Sequence, residues 1–212
     1  MAKARLFTLD PVLVALFGRG RAAAAQTGST AQHAGVSPGV EAGPSFWDLV
    51  REDLGIQHGD WTRPGFQAML MYRIGNVRCR SRLERALISR LYRTAHILVR
   101  NLYTIEIHAS AKLGRRIKVA HQGSIVIHEH AVIGADCIIR QGVTIGGGSD
   151  ANYHRGPVLG ADVELGAGAV VVGGVHIGDR VKIGPNAVVM SDVPAGSIVV
   201  AQPPRIIPGR RP

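Results

Sequence analysis

The chain has 212 residues, of which 46% are hydrophobic, enough for one sizeable core and a small second domain. Aromatic residues contribute only 5% while there are 27 glycines, which disfavours a helical bundle and suits tight, repetitive turns. The net charge of +10 makes an anionic partner conceivable, but two cysteines exclude a disulfide framework, and no apolar run is long enough to cross a bilayer.

The first 45 residues are expected to form a flexible N-terminal arm. Their beginning imitates a signal peptide, but Asp10 and Pro11 interrupt the apolar patch, so a cleaved signal is disfavoured. Residues 22–45 are small and polar, and they cannot bury enough surface to offset the entropy of ordering. The sparse cysteines fit a reducing compartment, so a cytoplasmic location is predicted.

Residues 46–103 are predicted to be helical. Ser45 and Asp48 form a capping-box pair before the first amphipathic segment, and Pro64 and Gly75 stand near the two ends of the next one. Many arginines follow, with too few aromatics for a stacking platform. We interpret them as a solvated helix face, with an anionic ligand or membrane surface second and nucleic acid third. They are Arg73, Arg78, Arg80, Arg82, Arg85, Arg90, Arg93 and Arg100.

From Ile107 onward the apolar period changes to six residues. A small or branched residue follows each aliphatic one by four positions, as Cys137 follows Ile133. This repeat is typical of a parallel β-helix, whose aliphatic side chains fill a triangular prism while the small ones fit its corners. The aliphatic positions are 107, 113 and 119; then 127, 133, 139 and 145; then 159, 165, 171, 177, 183 and 189, with Ala195 closing the series.

The repeat is broken in two places, and such breaks tend to carry function because backbone leaves the coil there. The first break covers residues 119–127 and contains His121. The second is a Gly-rich polar loop, residues 146–158, and contains His154. The predicted organisation is therefore the N-terminal arm, the helical segment, a β-helix over residues 104–200, and a C-terminal tail over residues 201–212.

Several stretches resemble the serine O-acetyltransferase family. "IEIHASAKLGRRIKVAHQGSIVIHE" is similar to the family's "IDIHP" to "DH.TGIVVGE" stretch, "GVTIGG" is similar to "SVTLGG", and "PPRII" is similar to "PARIV". The resemblance covers roughly residues 66–207. It implies a left-handed parallel β-helix of hexapeptide repeats that transfers an acetyl group from acetyl-CoA to a hydroxyl, with L-serine as the foremost acceptor.

The resemblance also implies catalytic roles. His121 would be the general base that takes the acceptor's hydroxyl proton, as a neutral imidazole can near pH 7. Glu106, where the family has Asp, would fix the tautomer of that histidine. His154 would bind the acceptor or stabilise developing charge, with Glu129 as its carboxylate partner.

Coenzyme A is expected along a groove between neighbouring coils, where small residues let the pantetheine arm approach the backbone. By resemblance, Gly147, Ala167 and Pro185 line this groove, and Lys182 and Arg205 lie near the nucleotide phosphates. Acetyl-CoA is a co-substrate in this reading, and no metal is expected.

The acceptor site departs from the family pattern. The family's "DH" is Ala120-His121 here, and its "RH" is Tyr153-His154, so one negative and one positive charge are lost. An ammonium group prefers a carboxylate and a carboxylate prefers a guanidinium, so Asp60 and Arg155 are candidates to replace the lost charges. Tyr153 would contact the acceptor as well.

The remaining histidines have a simpler interpretation, because their positions in the repeat point outward into solvent. A zinc site is the minor alternative, but a His-x-His pair such as His128 and His130 is expected to diverge around a corner of the coil. The histidines concerned are His108, His128, His130 and His176.

Two other functions are alternatives to serine acetylation. One is acetylation of a sugar or another hydroxyl-bearing metabolite, and the other is a scaffold with a decayed site. A homotrimer is expected in either case, because loops such as 146–158 reach the neighbouring subunit in this architecture. The helical segment is a candidate for pairing two trimers. No nucleic-acid partner and no membrane insertion are expected.

Overall fold

The computed structural model describes residues 44–148, 153–203, 205 and 207. The predicted N-terminal arm up to residue 43, the middle of the predicted loop and most of the predicted tail lie outside the described residues.

Within the described residues, three helices precede the β-strands: α1 (Phe46–Ile56), α2 (Pro64–Gly75) and α3 (Arg82–Tyr103). The capping box predicted at the start of α1 is confirmed, since the Asp48 backbone N–H bonds the Ser45 hydroxyl and the Asp48 carboxylate bonds the Ser45 N–H. Pro64 occupies the first turn of α2, where a missing N–H costs nothing. Ser81 and Glu84 form a second capping box at the start of α3.

In the part of the chain that the structure describes, fourteen short strands form three parallel sheets, which are the faces of the prism. Sheet A contains β1 (Ile105–Ile107), β4 (Ile125–Ile127), β7 (Thr144–Gly146), β10 (Val170–Val172) and β13 (Val188–Val189). Sheet B contains β2 (Lys112–Leu113), β5 (Val132–Ile133), β8 (Val158–Leu159) and β11 (His176–Ile177). Sheet C contains β3 (Lys118–Ala120), β6 (Ile138–Arg140), β9 (Glu164–Leu165), β12 (Lys182–Ile183) and β14 (Ile198–Val199).

The chain visits sheets A, B and C in turn, so each coil has an A–B, a B–C and a C–A corner. The β-helix predicted from the six-residue period is confirmed. Every aliphatic position of the series from Ile107 to Val189 is buried, and so are the small corner residues, including Cys137. Ala195 is the exception: it is exposed, and the prediction that it closes the buried series is wrong.

Coil length explains the first break and the error at Ala195. The regular spacing pairs Leu165 with Ile183, eighteen residues on. The first coil is two residues longer, since Ile107 pairs with Ile127. The last coil is two residues shorter, since Ile183 pairs with Val199. Partly buried Val193 and Val199 therefore take the inward positions, and Ala195 falls at a corner.

The helical segment packs against the first coil through polar contacts. Tyr72 Oη donates to Ala111 O at 2.8 Å, and Gln57 Nε2 donates to Val119 O at 3.0 Å. Arg73 is buried, pairs with Asp53 at 2.9 Å and donates to Gly114 O. The prediction of a solvated face is thus wrong for Arg73, because its guanidinium bridges the helices and the coil. The other seven arginines are exposed.

One column of glycines at the B–C corner lets consecutive coils touch. A Cβ added at Gly134 would lie 2.4 Å from Gly160 O, and one added at Gly114 would lie 2.7 Å from Gly134 C. A Cβ at Gly178 would in turn lie 2.4 Å from Ala195 N. The atoms met are backbone, so they cannot move aside as a flexible side chain would. Glycine is therefore required here for close approach of the coils.

Candidate active site

His121 lies at the C–A corner of the first coil. β3 ends at Ala120 and β4 begins at Ile125, so the extra length of this coil falls in the connection that contains His121. The connection is held by Thr104, whose hydroxyl oxygen accepts from Ser124 N at 2.7 Å. His121 has a left-handed backbone with φ of 69°, and its side chain is exposed. Its imidazole is therefore accessible to a substrate.

Glu106 lies in the middle of β1 on sheet A, half-buried and facing outward. Its neighbour is His96 of α3, whose Nδ1 is buried without a hydrogen-bond partner. Burial and then Arg100 lower the pKa of His96, and the negative charge of Glu106 opposes them. Within the described residues no hydrogen bond or ion pair joins Glu106 to His121. The proposed pairing of these two residues stays a prediction.

Four rings form a second group at the A–B corner, on the side of the second break. The His128 ring lies 4.7 Å from the Tyr153 ring and 5.5 Å from the His130 ring. The His154 ring lies 5.7 Å from His130 and 5.8 Å from Tyr153. We call His128, His130, Tyr153 and His154 the ring cluster. The cluster brings Tyr153 and His154, the two candidate residues of the loop, together with His128 and His130, which were predicted to be solvent-exposed.

His128 is the member of the ring cluster that differs from expectation. Its Nε2 is buried and has no hydrogen-bond partner. Burial, and secondarily His130, lower its pKa, so the neutral form is favoured. The prediction that His128 is solvated is wrong because Tyr153 of the inserted loop covers it. The prediction is confirmed for His108, His130 and His176, which are exposed.

The carboxylate of Glu129 lies beside this cluster. A hydrogen bond to it is the main cause of the raised pKa of Tyr153. His130 Nε2 lies 3.8 Å from one of its oxygens, and His108 Nδ1 lies 4.0 Å from the other. No direct bond between Glu129 and His154 occurs in the part of the chain that the structure describes, so their partnership also stays a prediction.

The His128-x-His130 pair does not diverge as expected, because the two rings lie side by side at an angle of 57°. Even so, the described residues contain no group of three or more His, Cys, Asp or Glu side chains that could hold a metal ion.

The residues assigned to coenzyme A fall at two corners. Ala167 and Pro185 lie at the C–A corner of consecutive coils, where Asn186 N donates to Ala167 O. They are thus on the edge of the prism that carries His121. Gly147 lies at the A–B corner, where an added Cβ would be 2.9 Å from His128 Nε2. Lys182 on β12 and Arg205 in the tail are exposed.

The residues assigned to the acceptor are divided in the same way. Asp60 accepts from Thr62 N and Thr62 Oγ1, and these bonds lower its pKa. Its loop connects α1 to α2, and Gly65 of α2 lies against Val119 O, so Asp60 belongs to the side of His121. Arg155 follows the ring cluster at the A–B corner, and its side chain lies beside Gly174.

Sequence reasoning overlooked one charged pair near His121. Arg140 of β6 stands beside Ala120 in the adjacent coil, and its Nη2 donates to Glu164 Oε1 at 2.8 Å. The signal was available, since the first coil is twenty residues long and position 140 stacks on position 120.

Comparisons with known proteins identify the family. Residues 156–190 match the family described as bacterial transferase hexapeptide (six repeats). Serine acetyltransferase of Helicobacter pylori (strain 26695) is 41% identical over 144 residues, which are 68% of this chain and 81% of that protein. The chain belongs to the serine acetyltransferase family. A cyanobacterial member, from Synechococcus elongatus, is 42% identical over 144 residues, but this chain spans only 57% of its length.

Solved serine acetyltransferase structures share the fold. The soybean apoenzyme gives a TM-score of 0.63 at 28% identity, covering 76% of this chain and 69% of that one. The Neisseria gonorrhoeae serine acetyltransferase in complex with serine gives a TM-score of 0.61 at 29% identity, covering 74% and 67%. None of the described helices of this family member is both long and apolar enough to cross a membrane.

Proposed function

We propose that this protein is an acetyl-CoA-dependent O-acetyltransferase that converts L-serine to O-acetylserine, in the cytoplasm. The observation that supports this most is the exposed His121 at a lengthened C–A corner, on the same edge as Ala167 and Pro185. The identity to named serine acetyltransferases, and the serine bound to the gonococcal relative, favour serine among hydroxyl acceptors.

In the proposed reaction, a ring nitrogen of neutral His121 takes the proton of the serine hydroxyl. The serine oxygen forms a bond to the thioester carbonyl carbon, and negative charge moves to the carbonyl oxygen. Backbone N–H groups near the Gly-rich loop are proposed to stabilise this oxyanion. Collapse breaks the carbon–sulfur bond, and the thiolate of coenzyme A receives the proton from the imidazolium.

A covalent acetyl-enzyme is not required, and the buried cysteine is unsuited to form one. Cys137 is fully buried at a corner of the prism, and burial raises the pKa of its thiol to about 11. It is therefore protonated at neutral pH and a weak nucleophile. Direct transfer from the thioester to the acceptor is the mechanism that the residues support.

A site containing both His121 and His154 is proposed to form between two chains of a homotrimer. Within one chain they lie at different corners of the prism, separated by the width of sheet A. The coenzyme A residues are divided in the same way, with Ala167 and Pro185 at one corner and Gly147 at the other. Packing the C–A corner of one chain against the A–B corner of the next would join both sets.

The function is tested by following thiol release from acetyl-CoA with a panel of acceptors. We expect release that depends on L-serine, with O-acetylserine detected as the product. Faster release with a sugar acceptor would favour the sugar enzyme, and failure to bind coenzyme A would favour the scaffold. Either result would contradict the proposal.

The exposed face of α3 is proposed to pair two trimers. Its leucines fall within roughly a 100° arc of the helix, since successive residues are about 100° apart. They are 46–71% exposed, Arg93 and Arg100 occupy another face, and Arg90 borders the stripe beside Leu83. An apolar stripe of this length needs a cover, and a second copy of α3 offers a matching one. The stripe contains Leu83, Leu87, Leu91, Leu98 and Leu102.

We expect the combined variant Leu91→Lys and Leu98→Lys to convert hexamers into trimers, because two charges would be buried in an apolar seam. Light scattering measures the change, and activity per subunit should persist because Leu91 and Leu98 are exposed and are not among the proposed catalytic or binding residues. Arg93→Ala on another face of α3 is the control and should remain hexameric. A charged variant that stays hexameric, or a wild type that is monomeric and active, would contradict this assembly.

A further inference from the structure

The residue beside the proposed base in the next coil is an arginine. Ala120, which directly precedes His121, pairs with Arg140 in the parallel ladder of β3 and β6. Neighbouring strands lie about 4.8 Å apart, so the two Cα atoms are near neighbours. Ile139 is buried while Arg140 is half-buried, so the Arg140 side chain points outward from sheet C, as that of Ala120 does.

Small residues flank Arg140 along this outward row. Ala120 lies on one side, and continuing the register of β6 and β9 by one residue brings Gly166 to the other. The ladder neighbours of Arg140 in both adjacent coils are therefore small, and neither crowds its side chain. An aspartate at position 120 would instead face Arg140 directly and neutralise it. With alanine at position 120, Glu164 is the carboxylate that pairs with Arg140 among the described residues.

One charged contact holds Arg140 in place. Its Nη2 donates to Glu164 Oε1 at 2.8 Å, and the two side chains are 40% and 33% exposed. A guanidinium carries five N–H donors, and among the described residues this is the only side-chain hydrogen bond of Arg140. The side chain is 40% exposed, so an anion can contact its other N–H groups while the bond to Glu164 remains.

The position of Arg140 along the prism favours the acceptor over the cofactor phosphates. Arg140 belongs to the second coil, next to the coil of His121. Ala167 and Pro185 lie in later coils, Lys182 lies in the same coil as Pro185, and Arg205 follows the last strand. If acetyl-CoA presents its thioester to His121, its phosphates lie at the other end of this edge. Arg140 is then at the reacting end.

The other candidate cations are less suited to this place. Arg155 lies at the A–B corner of its own chain beside Gly174. Arg63 is on the side of His121, but it is exposed and pairs with Asp60 at 3.4 Å. Arg140 alone among these three comes from a strand that pairs directly with the strand preceding His121.

We propose that Arg140 binds the carboxylate of the acceptor and thereby selects an amino acid over an uncharged alcohol. This inference rests on the proposed serine acetylation and specifies how the acceptor is held. A guanidinium forms paired, charge-assisted hydrogen bonds with a carboxylate, which a hydroxyl or amide cannot match. Arg140 thus replaces the positive charge that Tyr153 no longer supplies.

The test compares L-serine with L-serinamide, which keeps the hydroxyl and the ammonium but lacks the carboxylate. We expect wild type to prefer serine by about 10- to 100-fold in kcat/KM, the value of one charge-assisted contact. In Arg140→Gln the KM for serine should rise by a similar factor and the preference should vanish. The KM for acetyl-CoA should not change.

Arg116→Gln is the matched control. Arg116 also pairs with a carboxylate across adjacent coils, that of Asp136, with one contact of 2.6 Å, but it lies at the B–C corner. It should retain the wild-type KM and preference for serine. A normal thermal midpoint for Arg140→Gln shows that the variant is folded, as expected for an outward-facing side chain.

The outcomes separate this inference from the proposed function. If Arg140→Gln keeps the preference for serine, or raises only the KM for acetyl-CoA, then Arg140 does not bind the acceptor's carboxylate although serine acetylation stands. If wild type releases no thiol with serine, the proposed function fails before any variant is made. The assignment of Arg140 to an amino-acid acceptor is then overturned with it.

Discussion

Replacing His121 with alanine is expected to lower kcat by ~10²–10⁴-fold while coenzyme A still binds. The imidazole is exposed at the lengthened corner and is the proposed acceptor of the serine proton. Without it, water would have to take that proton, and the attacking oxygen would be a poorer nucleophile. Thiol release at saturating serine and acetyl-CoA measures the change in kcat, and equilibrium binding of coenzyme A shows that the site is intact.

Two further variants make this prediction specific. Glu106→Gln should reduce kcat less than His121→Ala, because it perturbs only the orientation and charge around the base. His176→Ala removes another exposed histidine, on sheet B, and should leave kcat unchanged. Near-normal turnover by His121→Ala would reject His121 as the base.

The second large effect concerns stability. Gly134→Ala is expected to lower the free energy of unfolding by about 1–3 kcal/mol, the usual effect of overpacking. The added Cβ would lie 2.4 Å from Gly160 O and 2.5 Å from Gly160 C, so adjacent coils would have to separate at this corner. Thermal unfolding at a fixed protein concentration measures the change, since the midpoint of an oligomer depends on concentration.

Gly55→Ala provides the matched control. Gly55 lies in α1, and a Cβ added there would meet nothing within 4 Å. Because alanine is favoured over glycine in a helix, this variant should be as stable as wild type or more stable by about 0.5–1 kcal/mol. Equal stability of the two alanine variants would show that the coils can move apart at little cost.

The repeat could be read from the sequence because each coil must place aliphatic side chains in the same narrow interior. Ile133, Ile139 and Ile145 follow that rule, and all three are buried. The length of the last coil could not be read in this way. Val193 and Val199 can fill the interior as well as Ala195 could. Which of these residues point inward depends on how β14 pairs with β12.

In the helical segment, too, the burial of a polar residue could not be predicted from the sequence. Helical spacing and capping residues predicted α1 and α2, because both depend on neighbours close in sequence. The burial of Arg73 depends on Asp53, which is twenty residues away on another helix, and on backbone oxygens of the first coil. From composition alone, Arg73 could not be distinguished from the solvent-exposed arginines that follow it.

The two breaks in the period are visible in the sequence, but the side-chain contacts that the inserted loop and the stacked coils make are not. His121 and His154 were located from the two breaks in the period. The burial of His128 was missed because a regular coil would leave that position in solvent, whereas Tyr153 covers it. Arg140 was missed because its contact with the site arises from stacking of coils, which joins residues far apart in sequence.

The claim that active sites form between chains is tested most directly by mixing two impaired variants. His121→Ala and His154→Ala are prepared separately, each strongly reduced in activity, and then unfolded and refolded together. If each site takes His121 from one chain and His154 from the next, every mixed trimer contains one intact site. Activity is expected to return in the mixture and not in either variant refolded alone. A mixture that forms mixed trimers yet stays as inactive as its components would contradict it.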